Sequence, residues 1–273
     1  MSLLDKYYTQ EHHIFRESVK RFFAKEVTPY VDQWEKDGII PKELWKKFGA
    51  QGFLCPWLPE EYGGVGADLL YSLIMLEEAS PTHCSGFAFP LHSDIIVPYI
   101  YNFANEDQKK RWLPGCATGD IITAVAMTEP GAGSDLASIR TTAIKDGDYY
   151  VINGQKTFIS NGINCDLAIV AAKTDPQASP PYTGVSLILV EDGTPGFEKG
   201  RNLDKIGFHS QDTAEMAFVD CRVPRENLLG QEGHGFYYLM EELQQERLVC
   251  AMICQVAAEE ALRLTIDFTR SRE

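Results

Sequence analysis

The chain has 273 residues, 44% hydrophobic and 23% charged, which is enough for two domains with separate cores in a soluble globular protein. Its 39 acidic and 25 basic residues leave a formal charge of −14, which argues against nucleic acid or an anionic membrane surface as partner. No apolar run approaches the roughly 20 residues of a membrane span. The N-terminal MSLLDKYYTQEHHIF mixes charges with aromatics and lacks the apolar region of a signal peptide, so a bacterial cytoplasmic or mitochondrial-matrix location is expected. The seven cysteines are scattered with no CxxC, as for free thiols in a reducing compartment.

Residues 5–120 read mainly as helices. Ile14, Phe15, Val19, Phe22, Phe23 and Val27 recur near a 3.6 period until Pro29 interrupts. Pro41 stands at the expected first turn of a helix closing near Gly49 to Gly52, a place where its missing donor costs nothing. PEEYGGVGAD, Pro59 to Asp68, is a glycine-rich loop before a buried helix, LLYSLIMLEEAS. Another apolar helix is expected from Ser93 to Phe103, then one capped by Asn105 with acids in its first turn and bases in its last.

At Ile121 the texture changes. Short β-rich runs follow, with turn signals at Asp146-Gly147 and Asn153-Gly154, and they predict an antiparallel barrel or sandwich. From Gly235 a helical pattern runs without Gly or Pro, a length that implies partner helices. Cys250 and Cys254 share a face of it and read as small core residues, because no histidine completes a metal set. The expected architecture is therefore α+β and multi-domain: a helical domain over residues 1–120, a β-domain over 121–232, and the first long helix of a third, helical domain over 233–273.

One run carries the chemistry. MTEPGAGSDL, Met127 to Leu136, joins two hydroxyls and two carboxylates to proline and glycines, which exclude a helix interior or central strand. Its bare N–H groups can approach a ligand closely. A dinucleotide fingerprint fits poorly, since Leu136 stands where the third glycine belongs. Lys199, Arg201 and Lys205 offer either a local anion site or ordinary solvated loop charges.

MTEPGAGSD, together with PEEYGG, NGQKTFISNG, KIGFHSQDTAEMAFVDCRVP and the QERL of the long helix, resembles the acyl-CoA dehydrogenase family, nearest to its long-chain members. The resemblance covers nearly the whole chain. It implies an FAD-dependent α,β-dehydrogenation of an acyl-CoA thioester to the trans-2-enoyl-CoA, with hydride transfer to flavin N5. Glu246, followed by Arg247, would be the base that removes the α-proton. Met127 and Thr128 would contact the flavin ring, Ser134 the flavin pyrophosphate or the CoA portion, Phe158 the flavin face away from substrate, and Ser160 N5. Arg272 would reach the FAD diphosphate of a neighbouring subunit in a homotetramer. Tyr182, Thr183, Tyr237 and Arg247 would flank the acyl-CoA, and an electron-transfer flavoprotein would take up the electrons. An acyl-CoA oxidase of the same fold and a non-catalytic acyl-CoA-binding scaffold are the alternatives. The family pattern continues into further helices, so the resemblance also implies an apolar face on the long helix, formed by Leu243, Val249, Ile253, Val256 and Leu262, that lacks its cover. It implies in turn that these 273 residues alone hold FAD weakly and are inactive.

Overall fold

The structure is a computed structural model that describes residues 5–272; residues 1–4, part of the stretch read for a leader, and residue 273 lie outside it. Six helices come first: α1 (Gln10–Glu26), α2 (Val31–Asp37), α3 (Lys42–Gly49), α4 (Leu69–Ala79), α5 (Val97–Phe103) and α6 (Glu106–Thr118). Local chemistry explains their ends. Thr9 and His12 form a capping box on α1, and Asn105 and Gln108 form one on α6. The bases of α6 lie mid-helix and not in its last turn, because the helix continues through Pro114 to Thr118. A π-helical turn, Leu91–Ile96, leads into α5 and buries His92, Ser93 and Asp94. Phe22, Phe23, Trp45, Phe48, Phe53, Phe87 and Phe89 pack mostly edge-on in the centre of this helical part.

Strands follow: β1 (Thr123–Ala126), β2 (Thr142–Asp146), β3 (Tyr149–Ser160), β4 (Leu167–Lys173), β5 (Val185–Glu191), β6 (Phe197–Asn202), β7 (Thr213–Pro224) and β8 (Leu228–Leu229). They form one sheet in the order β6-β7-β3-β2-β4-β5-β8, with β1 also pairing β4. The sheet is mixed and not wholly antiparallel, since β1 and the start of β2, at Thr142, both run parallel to β4. The Asp146-Gly147 turn joins β2 to β3 as a hairpin. Asn153-Gly154 makes no turn. It is a bulge within β3, where Gly154 takes φ +150 and a Cβ would stand 2.4 Å from the Thr141 hydroxyl oxygen.

Both faces of β4 and β5 are buried, and the period of two sorts their side chains between two cores. Ala168, Val170, Ile188 and Val190 meet residues of β3, β6 and β7 in a core made by the sheet itself. Leu167, Ile169, Leu187 and Leu189 face the helices. The long helix α7 (Gly235–Arg270) crosses back onto the helical part, burying Leu239, Val249 and Val256. That observation corrects the uncovered face expected above: Val249 and Val256 are covered, whereas Leu248, Leu262, Leu264 and Phe268 are exposed. Cys250 and Cys254 are exposed as well, because they lie off the buried stripe. No described helix is long and apolar enough to cross a membrane.

His92 fastens the two parts together. Its ring is fully buried, with one nitrogen 2.8 Å from the Thr123 hydroxyl and the other 3.0 Å from the Cys116 carbonyl. The Cys116 carbonyl needs a donor, so Nε2 carries the proton and Nδ1 accepts from the Thr123 N–H. Burial pulls its pKa down to about 4. A lowered folded pKa means stability that is present above the unfolded value near 6.5 and lost as pH falls towards 4. Urea titrations should therefore show the wild type losing about 3 kcal/mol more than His92→Gln between pH 7 and pH 4. Parallel losses in the two proteins would refute this.

Candidate active site

The loop after β1 and the end of β3 lie side by side. The Thr157 N–H donates to the Thr128 carbonyl at 3.0 Å, and the Thr128 hydroxyl donates to the Thr157 carbonyl. Met127, Thr128 and Phe158 are thus brought together across a long sequence gap. A second bulge in β3, between Lys156 and Ile159, re-aims the chain. Ile159 stays in the core at 2% exposure, and Phe158, at φ +58, turns outward at 70% exposure. A bulky residue in left-handed geometry is a strained one, and such strain collects at functional sites. Ser160 follows, half-buried and paired with Thr213 of β7.

Asn161, not singled out by the sequence reading, also has φ +58 and is buried. Its side-chain amide donates to the Thr123 carbonyl at 3.2 Å, and its Oδ1 has no partner among the described residues. No signal marked it beyond its place in the NGQKTFISNG segment.

A buried ion pair holds this edge. Lys156 Nζ lies 2.8 Å from Glu129 Oε1 and 3.0 Å from the Met127 carbonyl. Glu129 also accepts the N–H groups of Arg140 at 2.6 Å and Thr141 at 3.0 Å, which closes the loop back on itself. Burial draws the Lys156 ammonium down to about 8 against the opposing pull of Glu129. Burial works to raise the Glu129 carboxyl, but Lys156 and the donors of Thr141 and Arg140 outweigh it and hold the group below its usual range. Both stay charged near neutrality. In front of the loop, Cβ positions built on Gly131 and Gly133 meet nothing within 4 Å.

A second cluster borders the later part of that loop. Tyr182 packs on Phe236 at 5.2 Å and edge-on against Tyr237 at 6.0 Å, with Thr183 beside Gly233. The Pro181–Gly184 turn abuts the Leu136–Ser138 turn, which places the Ser134 loop nearby with Ser134 exposed. Tyr182, Thr183 and Tyr237 are therefore gathered in one place. Arg247 lies ten residues further along α7 and off that face, exposed. Arg272 is exposed too, its guanidinium 5.4 Å from the Phe268 ring. Lys199 and Lys205 make no anion site: Lys199 Nζ pairs with Asp192 and donates to the Ile163 and Cys165 carbonyls, and Lys205 Nζ donates to the Gln211 carbonyl and the Thr213 hydroxyl.

Glu246 sits on the inner side of α7, half-buried, and Oε1 accepts the Tyr99 hydroxyl at 2.5 Å. Burial raises its carboxyl above the ordinary range, with Tyr99 and Arg247 opposing. One turn back, Glu242 Oε1 accepts the Asn102 amide at 2.7 Å, and its carboxyl is raised in the same sense by burial. A cavity of about 350 Å³ beside this pair is lined by Ser72, Asp94, Asn102, Glu242 and Gln245. Burial lifts Asp94 to about 7 there, with Ser72 donating to it at 2.8 Å. Along α7 in the other direction lies a largely apolar cavity of about 450 Å³, lined by Phe87, Phe89, Leu91, Ile253, Val256 and Leu264 among others. Glu246, Ile253, Ala257, Glu260 and Leu264 fall on one stripe of the helix by the 3.6 period.

Residues 9–120, 124–221 and 233–273 match the N-terminal, middle and C-terminal domain models of acyl-CoA dehydrogenase. The chain is 49% identical over 266 residues to the long-chain specific acyl-CoA dehydrogenase of Sus scrofa mitochondria, covering 97% of this chain and 62% of that protein. The crystal structure of an acyl-CoA dehydrogenase from Geobacillus kaustophilus superimposes with a TM-score of 0.96 at 57% identity, covering 98% of this chain and 70% of that one. A Mycobacterium smegmatis glutaryl-CoA dehydrogenase solved with FADH2 superimposes with a TM-score of 0.88 at 31% identity, covering 98% and 68%. The chain belongs to the acyl-CoA dehydrogenase family and spans 62% of the length of the curated relatives it matches first.

The ion pair at the site's edge gives a direct test. Lys156→Ala should strand the Glu129 carboxylate and cost about 3 kcal/mol in urea unfolding. The double replacement Lys156→Met with Glu129→Gln should recover much of that loss. A single variant as stable as wild type would show that the pair does not hold the loop.

Proposed function

We propose that this chain carries the cofactor edge and the base of an enzyme that converts an acyl-CoA thioester to its trans-2-enoyl-CoA. The observation that supports it most is the carboxyl of Glu246: half-buried, raised by that burial, and aligned along α7 with a large apolar cavity. Such a group suits general-base work near neutral pH. The apolar stripe beside it suits a fatty acyl chain, whose tail would occupy the cavity lined by Phe87, Phe89 and Ile253.

The edge formed by Met127, Thr128, Phe158 and Ser160 fits a flavin. The exposed Phe158 ring offers an apolar plane, the Gly131 and Gly133 backbone is open to close approach, and Asn161 keeps a buried acceptor with no partner among the described residues. FAD, when bound, supplies the redox chemistry by accepting a hydride from the substrate's β-carbon. Thr128 and Ser160 would orient it by hydrogen bonds, and Phe158 would cover one face. Ser134, Tyr182, Thr183, Tyr237 and Arg247 would receive the CoA portion, the first four being the exposed and half-buried groups gathered near the Pro181–Gly184 turn. Arg272 would serve the cofactor of a neighbouring subunit in a tetramer, and an electron-transfer flavoprotein would be the electron acceptor.

The separate 273 residues are read as a weak FAD binder without turnover. Arg272 is exposed beyond the last turn of α7, and Leu248, Leu262, Leu264 and Phe268 stand in solvent along the same helix. Apolar surface of that extent favours self-association over a fixed site.

Two measurements test these statements. In the complete protein, Glu246→Gln should keep FAD and acyl-CoA binding while turnover falls by at least roughly 10²-fold, the low end for loss of a general base. Near-normal turnover would remove Glu246 from the reaction. For the 273-residue chain, a titration followed by flavin fluorescence should show no stoichiometric binding at submicromolar FAD, and stoichiometric binding would overturn that reading.

A further inference from the structure

Helices α5 and α7 run antiparallel and are joined by three contacts in order. Tyr99 meets Glu246, Asn102 meets Glu242, and Phe103 stacks on Tyr238 with ring centroids 4.1 Å apart. Tyr99 is wholly buried, and the Glu246 carboxylate is its hydroxyl's one hydrogen-bond partner among the described residues. Glu246 Oε2 makes no hydrogen bond to any described residue. A glutamate on a helix surface has three rotatable bonds, and a base that wanders loses the alignment on which proton removal depends.

We propose that Tyr99 is the positioning residue for Glu246: its phenol ties one carboxylate oxygen to α5 and leaves the other free to take the substrate's α-proton. The inference rests on the reading of Glu246 as the base. The Asn102–Glu242 and Phe103–Tyr238 contacts, on the C-terminal side of Tyr99, hold the two helices in register beside the phenol. The same bond sets how readily Glu246 ionises. Burial raises the carboxyl, and the Tyr99 hydroxyl is the first force against it, with Arg247 second. The other groups that face it are Glu242 and Cys250, one turn away on either side on α7. Asp94 of the π-helical turn borders the neighbouring cavity with Glu242 and Gln245.

Tyr99→Phe keeps the ring in its packing and removes only the donor. The ionised carboxylate then loses its main support, so the Glu246 pKa rises and the acidic limb of kcat/KM moves to higher pH by about one unit. In the complete protein, kcat on the plateau should fall roughly tenfold, with KM changed by less than about threefold. The second readout needs no cofactor. In the 273-residue chain labelled with 13C-glutamate, the Glu246 carboxyl resonance, identified by its loss in Glu246→Gln, should titrate at a midpoint raised by the same amount. A fluorinated tyrosine placed at position 99, a stronger donor, should move that midpoint down. An unchanged midpoint and limb in Tyr99→Phe would overturn the inference, even if activity fell evenly at every pH. Retained turnover in Glu246→Gln would instead remove the base on which it rests, and the carboxyl midpoints would tell the two failures apart.

Discussion

The contact between Lys156 and Glu129 is the constraint on which the loop after β1 and the end of β3 depend. It joins a strand to a loop far from it in sequence, and each partner also bonds backbone: Lys156 the Met127 carbonyl, Glu129 the Arg140 and Thr141 amides. Burying two charges carries a desolvation penalty that their attraction only partly offsets, so a pair of this kind is a weak source of net stability. It is a strong source of specificity. Any register in which the loop slipped against β3 would leave an ammonium or a carboxylate buried alone. The Thr128–Thr157 bonds and the position of Phe158 follow from that fixed register.

The helical side is organised by α7. Its buried stripe places Leu239, Val249 and Val256 against the helical core, while Ser80 donates to the Val256 carbonyl and His83 contacts Glu260. Carboxyls at positions 242, 246 and 260 therefore face inward, each with a partner from another segment. Their environments differ in kind. Glu260 meets the guanidinium of Arg263 and is held down at about 2. Glu242 and Glu246 meet only neutral donors across the interface and are raised by burial. One helix thus presents an acid held down by a charged partner and two raised by burial, a separation that charge pairing and desolvation produce without any special residue.

How much of this the sequence disclosed follows from where the deciding physics acts. Caps at Asn105 and the hairpin at Asp146-Gly147 are local, and local side-chain chemistry fixes them. The order of helices, strands and long helix follows from periodicity and turn residues over windows of ten or more positions. Parallel pairing of β1 with β4 is not local, and neither is the division of β4 and β5 between two cores. Asn153-Gly154 carries the composition of a hairpin turn, and only the Thr141 side chain packed over Gly154 shows that a bulge was needed instead. Among the candidate residues, Glu246, Thr128 and Phe158 are named by a family pattern alone. Their supports, Tyr99, Lys156 and Asn161, look in the sequence like ordinary core or strand positions.

The candidate site and its surroundings hold several of the chain's departures from regular geometry. A π-helical turn precedes α5, a bulge carries Phe158, and Phe158 and Asn161 both stand at φ +58. Left-handed residues other than glycine cost on the order of 1–3 kcal/mol each, and they persist only where neighbours over-determine them. Here the neighbours are explicit: the Asn161 N–H donates to the Asp212 carbonyl at 3.0 Å, its side chain to the Thr123 carbonyl, and Asp212 in turn accepts the Ile163 and Asn164 amides. Thr123 is the residue that His92 grips from the π-helical turn. Strain at the end of β3 and the buried imidazole of the helical part are thus ends of one connected network. The outward ring of Phe158 lies between this network and the bulge that follows Lys156. A flat cofactor would meet a surface already ordered, and little conformational entropy would remain to be lost on binding.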